Sequence, residues 1–316
     1  MRTWRSLDAV APELGRTVVT IGNFDGVHLG HQHVIRRAGE VAAALGIDVV
    51  AVTFDPHPIA VLRPEHAPPT LTSIEDRTRL LAEAGVDDVL VVPFTRELAG
   101  WSPERFVEEI LVDALHARAV VVGANFRFGN RASGDVAMLR EAGEKHDFSV
   151  EGIALDGGPQ VWSSTYVRNC LAAGDVEGAA EALGRLFTVR GTVARGDRRG
   201  RELGFPTANV PTTGVHAAPA DGVYAGWLRR LDGEHPLVPA AISVGTNPTF
   251  AGERERRVES YVLDRDDLEL YDVPVEVSFV AHLRGMRRFD DVEQLVAAMN
   301  EDVRRARAVL GAPEPV

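Results

Sequence analysis

Two histidines three residues apart, His28 and His31, have the spacing that most clearly indicates chemistry in this 316-residue chain. They lie in the stretch 20–31, which runs from an apolar, strand-like segment through a glycine-rich turn into a helix-like segment. Such a junction presents free backbone N–H groups and the positive end of a helix dipole, and both favour a phosphate. The two imidazoles can reach one anion, and Gly22 lets the backbone approach it. The stretch therefore predicts a phosphate-binding turn.

Two later strand-like segments are each followed by further candidate residues. His57 lies between two prolines that fix a rigid loop, and taken alone it is more typical of a structural residue. In the stretch 122–129, Asn125 offers a donor and an acceptor to a base or a ribose. Phe126 and Phe128 could flank a planar ring, or they could be two core aromatics in a turn.

The stretch 162–168 is another candidate, at the start of a predicted helix. Ser163, Ser164 and Thr165 bring hydroxyls to the exposed N–H groups, and Arg168 follows one turn later on the same face. An anion site and an N-cap followed by a surface arginine both fit this pattern.

A glycine-rich stretch in the second half, 191–209, could wrap phosphates with its N–H groups. Its glycines are Gly191, Gly196, Gly200 and Gly204. Phe205 and Pro206 stiffen the exit from this loop. Thr207 and Asn209 are two apart on an extended chain, so both face one side. Neutral oxygen donors of this kind suit a Mg²⁺–ATP complex that keeps its waters.

Apolar runs alternate with helix-like segments between residues 17 and 156. The predicted strands are 18–21, 49–54, 89–92, 120–122 and 150–155, and the predicted helices are 31–45, 74–84, 103–115 and 134–146. Ser73 and Ser102 are the expected N-caps of two of these helices. Short continuous apolar strands separated by helices predict an α/β fold with a doubly wound parallel sheet, which binds ligands at the carboxyl ends of its strands.

From about residue 187, short strands in which apolar and polar residues alternate replace the succession of strands and helices. They are predicted at 188–193, 222–229, 237–244, 257–263 and 273–282, and a helix at 290–310 shows one apolar stripe. The pattern predicts a small antiparallel barrel with a C-terminal helix. We therefore divide the chain into domains 1–186 and 187–316.

The amino-acid composition excludes several classes of function for this protein. The net charge of −12 argues against a general nucleic-acid binder, and no apolar run is long enough for a membrane span. Cys170 is the single cysteine, which excludes an intrachain disulfide and fits a reducing cytoplasm. Lys145 is the only lysine, so the chain has no Walker A motif, and any use of ATP must proceed without one.

Residues 15–186 resemble the adenylyltransferase domain of prokaryotic bifunctional riboflavin kinase/FAD synthetases, and the four stretches above occur in the family's order. The resemblance implies a Rossmann-like nucleotidyltransferase domain that converts FMN and ATP to FAD and pyrophosphate. An FMN phosphate oxygen would attack the α-phosphorus of ATP in line, and His28 and His31 would be catalytic. The implied ATP-binding residues are Gly22, Asn23, Phe24, His28, His31, Ser163, Ser164, Thr165 and Arg168. The implied FMN-binding residues are His57, Asn125, Phe126 and Phe128.

The stretch 200–209 resembles the riboflavin kinase signature of the same family, which implies a Greek-key barrel that phosphorylates riboflavin to FMN. Thr207 and Asn209 would then contact the metal and ATP, together with the glycine loop and Phe205–Pro206. Glu259 would be the general base for the riboflavin 5′-hydroxyl, although a lone glutamate in a strand is usually solvated. Arg284 and Phe289 lie in a segment that resembles the family's flavin-side helix and loop, which implies that they bind the flavin.

Asp272 stands where family members usually have glycine. If this position needs a left-handed backbone, aspartate tolerates it better than most residues. We expect local strain there, with activity retained.

Several alternatives stay open. His28, His31 and His33 could form a zinc site, although no carboxylate or cysteine completes an obvious ligand set. The protein could also be a monofunctional adenylyltransferase, a non-catalytic flavin-binding protein, or a transferase for a different acceptor. The expected partners are riboflavin, FMN and ATP with Mg²⁺, and no nucleic acid or membrane. A homo-oligomer and transient contact with apo-flavoproteins are left open.

Overall fold

The computed structural model describes residues 1–154, 162–194, 205–212, 216–245, 256–265 and 269–313. These residues form two compact units, Met1–Ser164 and Thr165–Val316. The candidate residues from Gly22 to Ser164 lie in the first unit, whereas Thr165, Arg168 and the candidates from Gly191 onward lie in the second.

A six-stranded parallel sheet is the centre of the first unit. Its strands are β1 (Arg2–Trp4), β2 (Thr17–Ile21), β3 (Asp48–Asp55), β4 (Asp88–Pro93), β5 (Ala117–Gly123) and β6 (Ser149–Ile153). Their order is β1-β4-β3-β2-β5-β6, and every pair is parallel. The chain moves outward from β2 to β4 and then returns to the other side of β2. The topological switch point, where such sheets bind ligands, therefore lies between β2 and β5.

Helices cover both faces of this sheet. They are α1 (Leu29–Leu45), α2 (Pro58–Leu62), α3 (Ile74–Glu83), α4 (Pro103–Phe106, continued as a π-helix over Val107–Ala114) and α5 (Val136–His146). Successive strand residues enter two separate cores, with Val19 and Val50 on one face and Val18 and Val49 on the other. The doubly wound sheet is confirmed, as are the two caps. Ser73 accepts from the N–H of Asp76, and Ser102 from that of Arg105.

The second unit is a curled antiparallel sheet with helices. Its strands are β7 (Phe187–Thr192), β8 (Thr207–Pro211), β9 (Gly222–Arg230), β10 (Val238–Gly245), β11 (Arg257–Val262) and β12 (Pro274–Gly285). Their order is β7-β12-β9-β10-β11-β8. The helices are α6 (Ser164–Ala173), which starts at the last residue of the first unit, α7 (Val176–Leu183) and α8 (Val292–Leu310).

The two edges of this sheet meet, which makes it a barrel. The N–H of Ala194, just after β7, donates to the carbonyl of Asn209 in β8 at 2.8 Å. Gly191 lies beside the same strand, and a Cβ there would come within 2.6 Å of Val210 Cγ1. A glycine at 191 is therefore needed for the strands to approach.

The grouping of α6 and α7 differs from the sequence-based division at residue 186. Contacts place both helices with the barrel, because Thr165–Val316 forms one unit. The N–H of Ala220 donates to the carbonyl of Leu171 at 2.7 Å, and the Tyr224 hydroxyl donates to the carbonyl of Ala220 at 2.6 Å. The division 1–186 and 187–316 stays a prediction.

Candidate active sites

The turn between β2 and α1 has the form expected of a phosphate-binding turn. Its backbone is left-handed at Phe24 (φ 48°), Gly26 (φ 83°) and Val27 (φ 41°). For residues other than glycine such a conformation costs about 1–3 kcal/mol each and persists only where the surroundings impose it. Phe24 and Val27 are both buried. The turn is therefore a strained element held by packing, a feature that clusters at functional sites.

His28 and His31 lie together at the N-terminus of α1. The Nδ1 atom of His28 caps the helix by accepting from the N–H of His31 at 3.4 Å, so the neutral ring carries its proton on Nε2. The two rings are stacked with centroids 3.6 Å apart. At Gly30, an added Cβ would lie 3.2 Å from the carbonyl of Trp162. The absence of a side chain at Gly30 thus leaves room for the backbone at Trp162, which passes over the start of α1.

The environment keeps His31 neutral. Burial, followed by the nearby His28 and Arg77, lowers the pKa of His31 well below its ordinary value. Its Nδ1 atom is buried and has no hydrogen-bond partner within the part of the chain that the structure describes. An anion bound at this helix start would favour the protonated ring and supply that partner. The arrangement suits a group that strengthens its interaction as negative charge arrives.

The second predicted segment meets this turn through the end of β3. The Thr53 hydroxyl donates to the carbonyl of Asn23 at 3.0 Å, and the Asn23 amide nitrogen lies 3.4 Å from His57 Nε2. His57 also caps α2, since its Nδ1 accepts from the N–H of Ile59 at 3.2 Å. It is therefore a structural cap that also faces the candidate site, and its contact with FMN stays a prediction.

The third segment follows β5, across the switch point. Asn125 is exposed, Phe126 is half-buried and Phe128 is buried. The two phenyl rings are stacked with centroids 5.6 Å apart, and Phe128 also packs on Phe106 at 5.4 Å. Phe128 is thus a core side chain here, whereas Phe126 keeps exposed ring surface. The role of all three toward FMN stays a prediction.

The fourth segment reaches the turn through Ser164. Its hydroxyl donates to the carbonyl of Asp25 at 2.8 Å, and Ser163 is half-buried beside it. Thr165 and Arg168 follow on α6 and belong to the second unit, the former exposed and the latter half-buried. The structure thus brings Ser164 to the histidine turn, and the phosphate contacts assigned to 163–168 stay predictions.

Two residues of this site were assigned no individual role from the sequence, although Asp25 lies within the stretch 20–31. Asp25 is only 1% exposed and Arg77 only 3%, and the two side chains are paired beneath the turn. Arg77 lies in α3, where an arginine in an amphipathic helix is ordinarily expected on the solvated face. Only its burial identifies it.

The second site is a row of side chains across the barrel. Glu259 on β11 is directly opposite Asn209 on β8, and Tyr261 is opposite Thr207. Opposed residues share a face, so Glu259, Asn209 and Thr207 all point to the same side, as predicted for the last two. The Asn209 amide nitrogen donates to the Thr207 carbonyl at 3.1 Å. The base and the ATP-binding residues assigned from the sequence are therefore neighbours.

This row lies on the outer face of the barrel. Alternate residues of β11, such as Val258 and Ser260, are fully buried inside, whereas Glu259 is only half-buried. Helix α8 packs on the outer face over β9, β10 and β12. Glu259 and Asn209 lie on the two strands beyond this helix. Buried and half-buried residues thus alternate along β11, and the outer face that carries Glu259 is the candidate site.

Arg284 and Phe289, assigned to the flavin side, lie at the end of β12 and just after it. The Arg284 guanidinium binds both carboxylate oxygens of Asp302 in α8, at 2.8 and 2.6 Å. It also lies 5.8 Å from the centroid of the Phe289 ring. Arg284 thus anchors the C-terminal helix, and flavin contact by either residue stays a prediction.

Other assigned positions have clear structural roles. Asp272 has φ 62°, as expected for a residue replacing glycine, and its N–H donates to the carbonyl of Val193 at 2.9 Å. Phe205 is buried against Tyr261, with centroids 5.1 Å apart, and Pro206 follows it into β8. Gly196, Gly200 and Gly204 lie outside the described residues.

The donor set of the second site fits a hydrated Mg²⁺ ion. Thr207 and Asn209 supply a hydroxyl and an amide oxygen, and Glu259 supplies a carboxylate on the same face. Within the described ranges, no three His, Cys, Asp or Glu side chains are grouped to hold a metal ion. No helix in the described parts of the chain is long and apolar enough to cross a membrane.

A parallel sheet with paired histidines at its switch point, followed by a barrel with a carboxylate beside oxygen donors, defines a nucleotide-dependent transferase with two sites. Comparison with known families agrees. A family model described as FAD synthetase matches residues 10–164, and one described as riboflavin kinase matches residues 183–310.

Related proteins are similar to this chain over nearly its whole length. The bifunctional riboflavin kinase/FMN adenylyltransferase of Pseudomonas fluorescens is 40% identical over 99% of both chains. That of Escherichia coli K12 is 37% identical over 96% of both. The chain belongs to the bifunctional riboflavin kinase/FMN adenylyltransferase family.

A solved structure shares the complete fold. It is described as a macrolide-efflux protein from Streptococcus pneumoniae, is 29% identical, and superposes with a TM-score of 0.85 over 96% of this chain and 98% of its own. The likeness supports the pairing of an α/β unit with a barrel in one chain.

Proposed function

We propose that this enzyme phosphorylates riboflavin to FMN in its second unit and adenylylates FMN to FAD in its first, using ATP for both. The observation that carries the proposal is a separate group of candidate catalytic residues in each unit. The first is the strained turn with stacked His28 and His31, and the second is the row of Thr207, Asn209 and Glu259. A monofunctional or non-catalytic protein would not need both.

In the first unit, an FMN phosphate oxygen attacks the α-phosphorus of ATP and pyrophosphate leaves. No covalent enzyme intermediate is needed, so catalysis consists of positioning and charge stabilisation. The N–H groups at the start of α1 and the ring of His28 hold the phosphates. His31, neutral before ATP arrives, contributes more as charge builds on the leaving pyrophosphate.

In the second unit, Glu259 accepts the proton of the riboflavin 5′-hydroxyl and orients its oxygen toward the γ-phosphorus of ATP; the new O–P bond forms as the bond to ADP breaks and ADP leaves. Thr207 and Asn209 would hold Mg²⁺, which would offset the phosphate charge when bound. Glu259 is half-buried, so part of the residue is exposed on this face. We also propose a cytoplasmic location, because the single cysteine, Cys170, is buried and unsuited to a disulfide.

Chromatography of products from riboflavin, ATP and Mg²⁺ tests the whole proposal. FMN should appear first and FAD should follow. FAD from supplied FMN, with no product from riboflavin, would restrict the enzyme to adenylyl transfer. FMN without FAD would leave His28 and His31 without their assigned role.

A further inference from the structure

Asp25 is a carboxylate with several hydrogen bonds in the first unit, and it does not face solvent. Its two oxygens accept from the N–H of Leu71 at 2.9 and 3.0 Å, and one also accepts from the N–H and hydroxyl of Thr72 at 3.1 and 3.2 Å. Its own carbonyl accepts from Ser164. One buried residue in the strained turn thus joins the loop before α3 to the first residue of α6.

Arg77 completes this network from the other side. Its Nη2 atom lies 3.7 Å from Asp25 Oδ1, and its Nη1 atom donates to the carbonyl of Phe54 at 3.1 Å and to the Thr53 hydroxyl at 3.4 Å. The Thr53 hydroxyl in turn donates to the Asn23 carbonyl. The guanidinium therefore connects the end of β3 to the turn at Asp25 directly and at Asn23 through Thr53.

The connected residues surround the turn that presents the histidines. The left-handed residues Phe24 and Val27 are on either side of Asp25 and Gly26, and His28 follows directly. Gly26, the residue after Asp25, donates its N–H to the Thr72 hydroxyl at 3.2 Å. Loss of the ion pair would let this turn relax, and the imidazole of His28 would move with it.

We propose that Asp25 and Arg77 are positioning residues for adenylyl transfer, which hold the strained turn so that His28 and His31 meet the reacting phosphates. Both side chains are almost fully buried, and each bonds to backbone groups around the turn, which is why we assign them a positioning role. The proposal rests on the proposed FMN adenylyltransferase function of this unit. Misplacement of a catalytic group by about 1 Å can lower a rate roughly 100-fold.

The test compares four variants of the full chain: Asp25→Asn, Arg77→Met, Arg77→Lys and Arg79→Met. We expect Asp25→Asn and Arg77→Met to lower kcat for FMN adenylylation about 10- to 100-fold, with the KM for ATP within about 3-fold of wild type, because transition-state contacts are lost. Arg77→Lys keeps the positive charge, and it should recover at least one tenth of the kcat that Arg77→Met loses. Arg79 lies two residues away on α3, pairs with Asp76 and Glu83 at the surface, and is the matched control.

Riboflavin phosphorylation by the same molecules reports on the second unit and should stay within about 2-fold of wild type, and the retained KM for ATP in FMN adenylylation reports that the first unit is folded. A parallel loss of both activities would overturn the proposal in favour of a general structural role. So would an Asp25→Asn variant with wild-type kcat, or one that changes only the KM for ATP. Failure of the wild-type chain itself to form FAD would instead refute the proposed function.

Discussion

The ion pair between Arg284 and Asp302 allows a quantitative test of how α8 is held on the barrel. The side chains are 15% and 7% exposed, and two bonds of 2.8 and 2.6 Å join them. Removing one partner of a buried pair costs about 3–5 kcal/mol, because the remaining charge stays in a poorly solvated site. Since Arg284 keeps some contact with water, we expect about 3 kcal/mol for Asp302→Asn.

This loss translates into a measurable shift. For a unit of roughly 150 residues, 3 kcal/mol corresponds to a fall in Tm of about 9 °C. Calorimetry of the full chain should show the shift in the barrel transition. The riboflavin kinase activity that survives brief heating identifies that transition as the barrel's.

Glu301→Gln is the matched control, because Glu301 is the neighbouring residue and pairs with Arg304 at the surface. These side chains are 46% and 74% exposed, so the change should cost less than about 1 kcal/mol. The double variant Arg284→Met/Asp302→Leu should recover most of the lost stability, since no unpaired charge remains. Equal shifts for Asp302→Asn and Glu301→Gln would refute the reasoning.

Three further predictions concern the second unit. Glu259→Gln should lower the rate of riboflavin phosphorylation about 10²- to 10⁴-fold while FAD formation from supplied FMN continues. Both activities are measured on the same preparation, one with riboflavin and one with FMN, and loss of both activities would contradict separate sites. A fragment of residues 165–316 should unfold at higher denaturant concentration than one of 187–316, because α7 buries Val176 and Leu183 in this unit; equal midpoints would favour the division at 186. Burial raises the pKa of Tyr224 to about 12, above the ordinary value of 10. The native state therefore binds the phenol proton more tightly, and stability present below pH 10 should be lost as the pH rises through 10 to 12. Tyr224→Phe should flatten this loss, and an unchanged slope in pH-dependent unfolding would contradict it.

Local signals explain most of what could be predicted for the fold. The strands of the parallel sheet are short apolar runs, and Ser73 and Ser102 begin helices by accepting N–H groups within three residues. The left-handed backbone at Asp272 was likewise predictable from its place in a motif. Strand β1, with three residues, was not predicted, because a segment so short has no periodicity to detect.

Local signals also indicated the phosphate-binding turn and the extended chain of Thr207 and Asn209, since each depends on residues close in sequence. The sequence by itself therefore determined the histidine turn, the two kinds of sheet and the chemistry of the donor groups. Tertiary structure alone decided which of these groups meet. Glu259 and Asn209 are fifty positions apart and become neighbours only through the register of β11 and β8. Arg77 is a site residue only because the end of β3 and the turn of Asp25 close over it. Such pairings depend on chain crossings and burial, which no local pattern encodes.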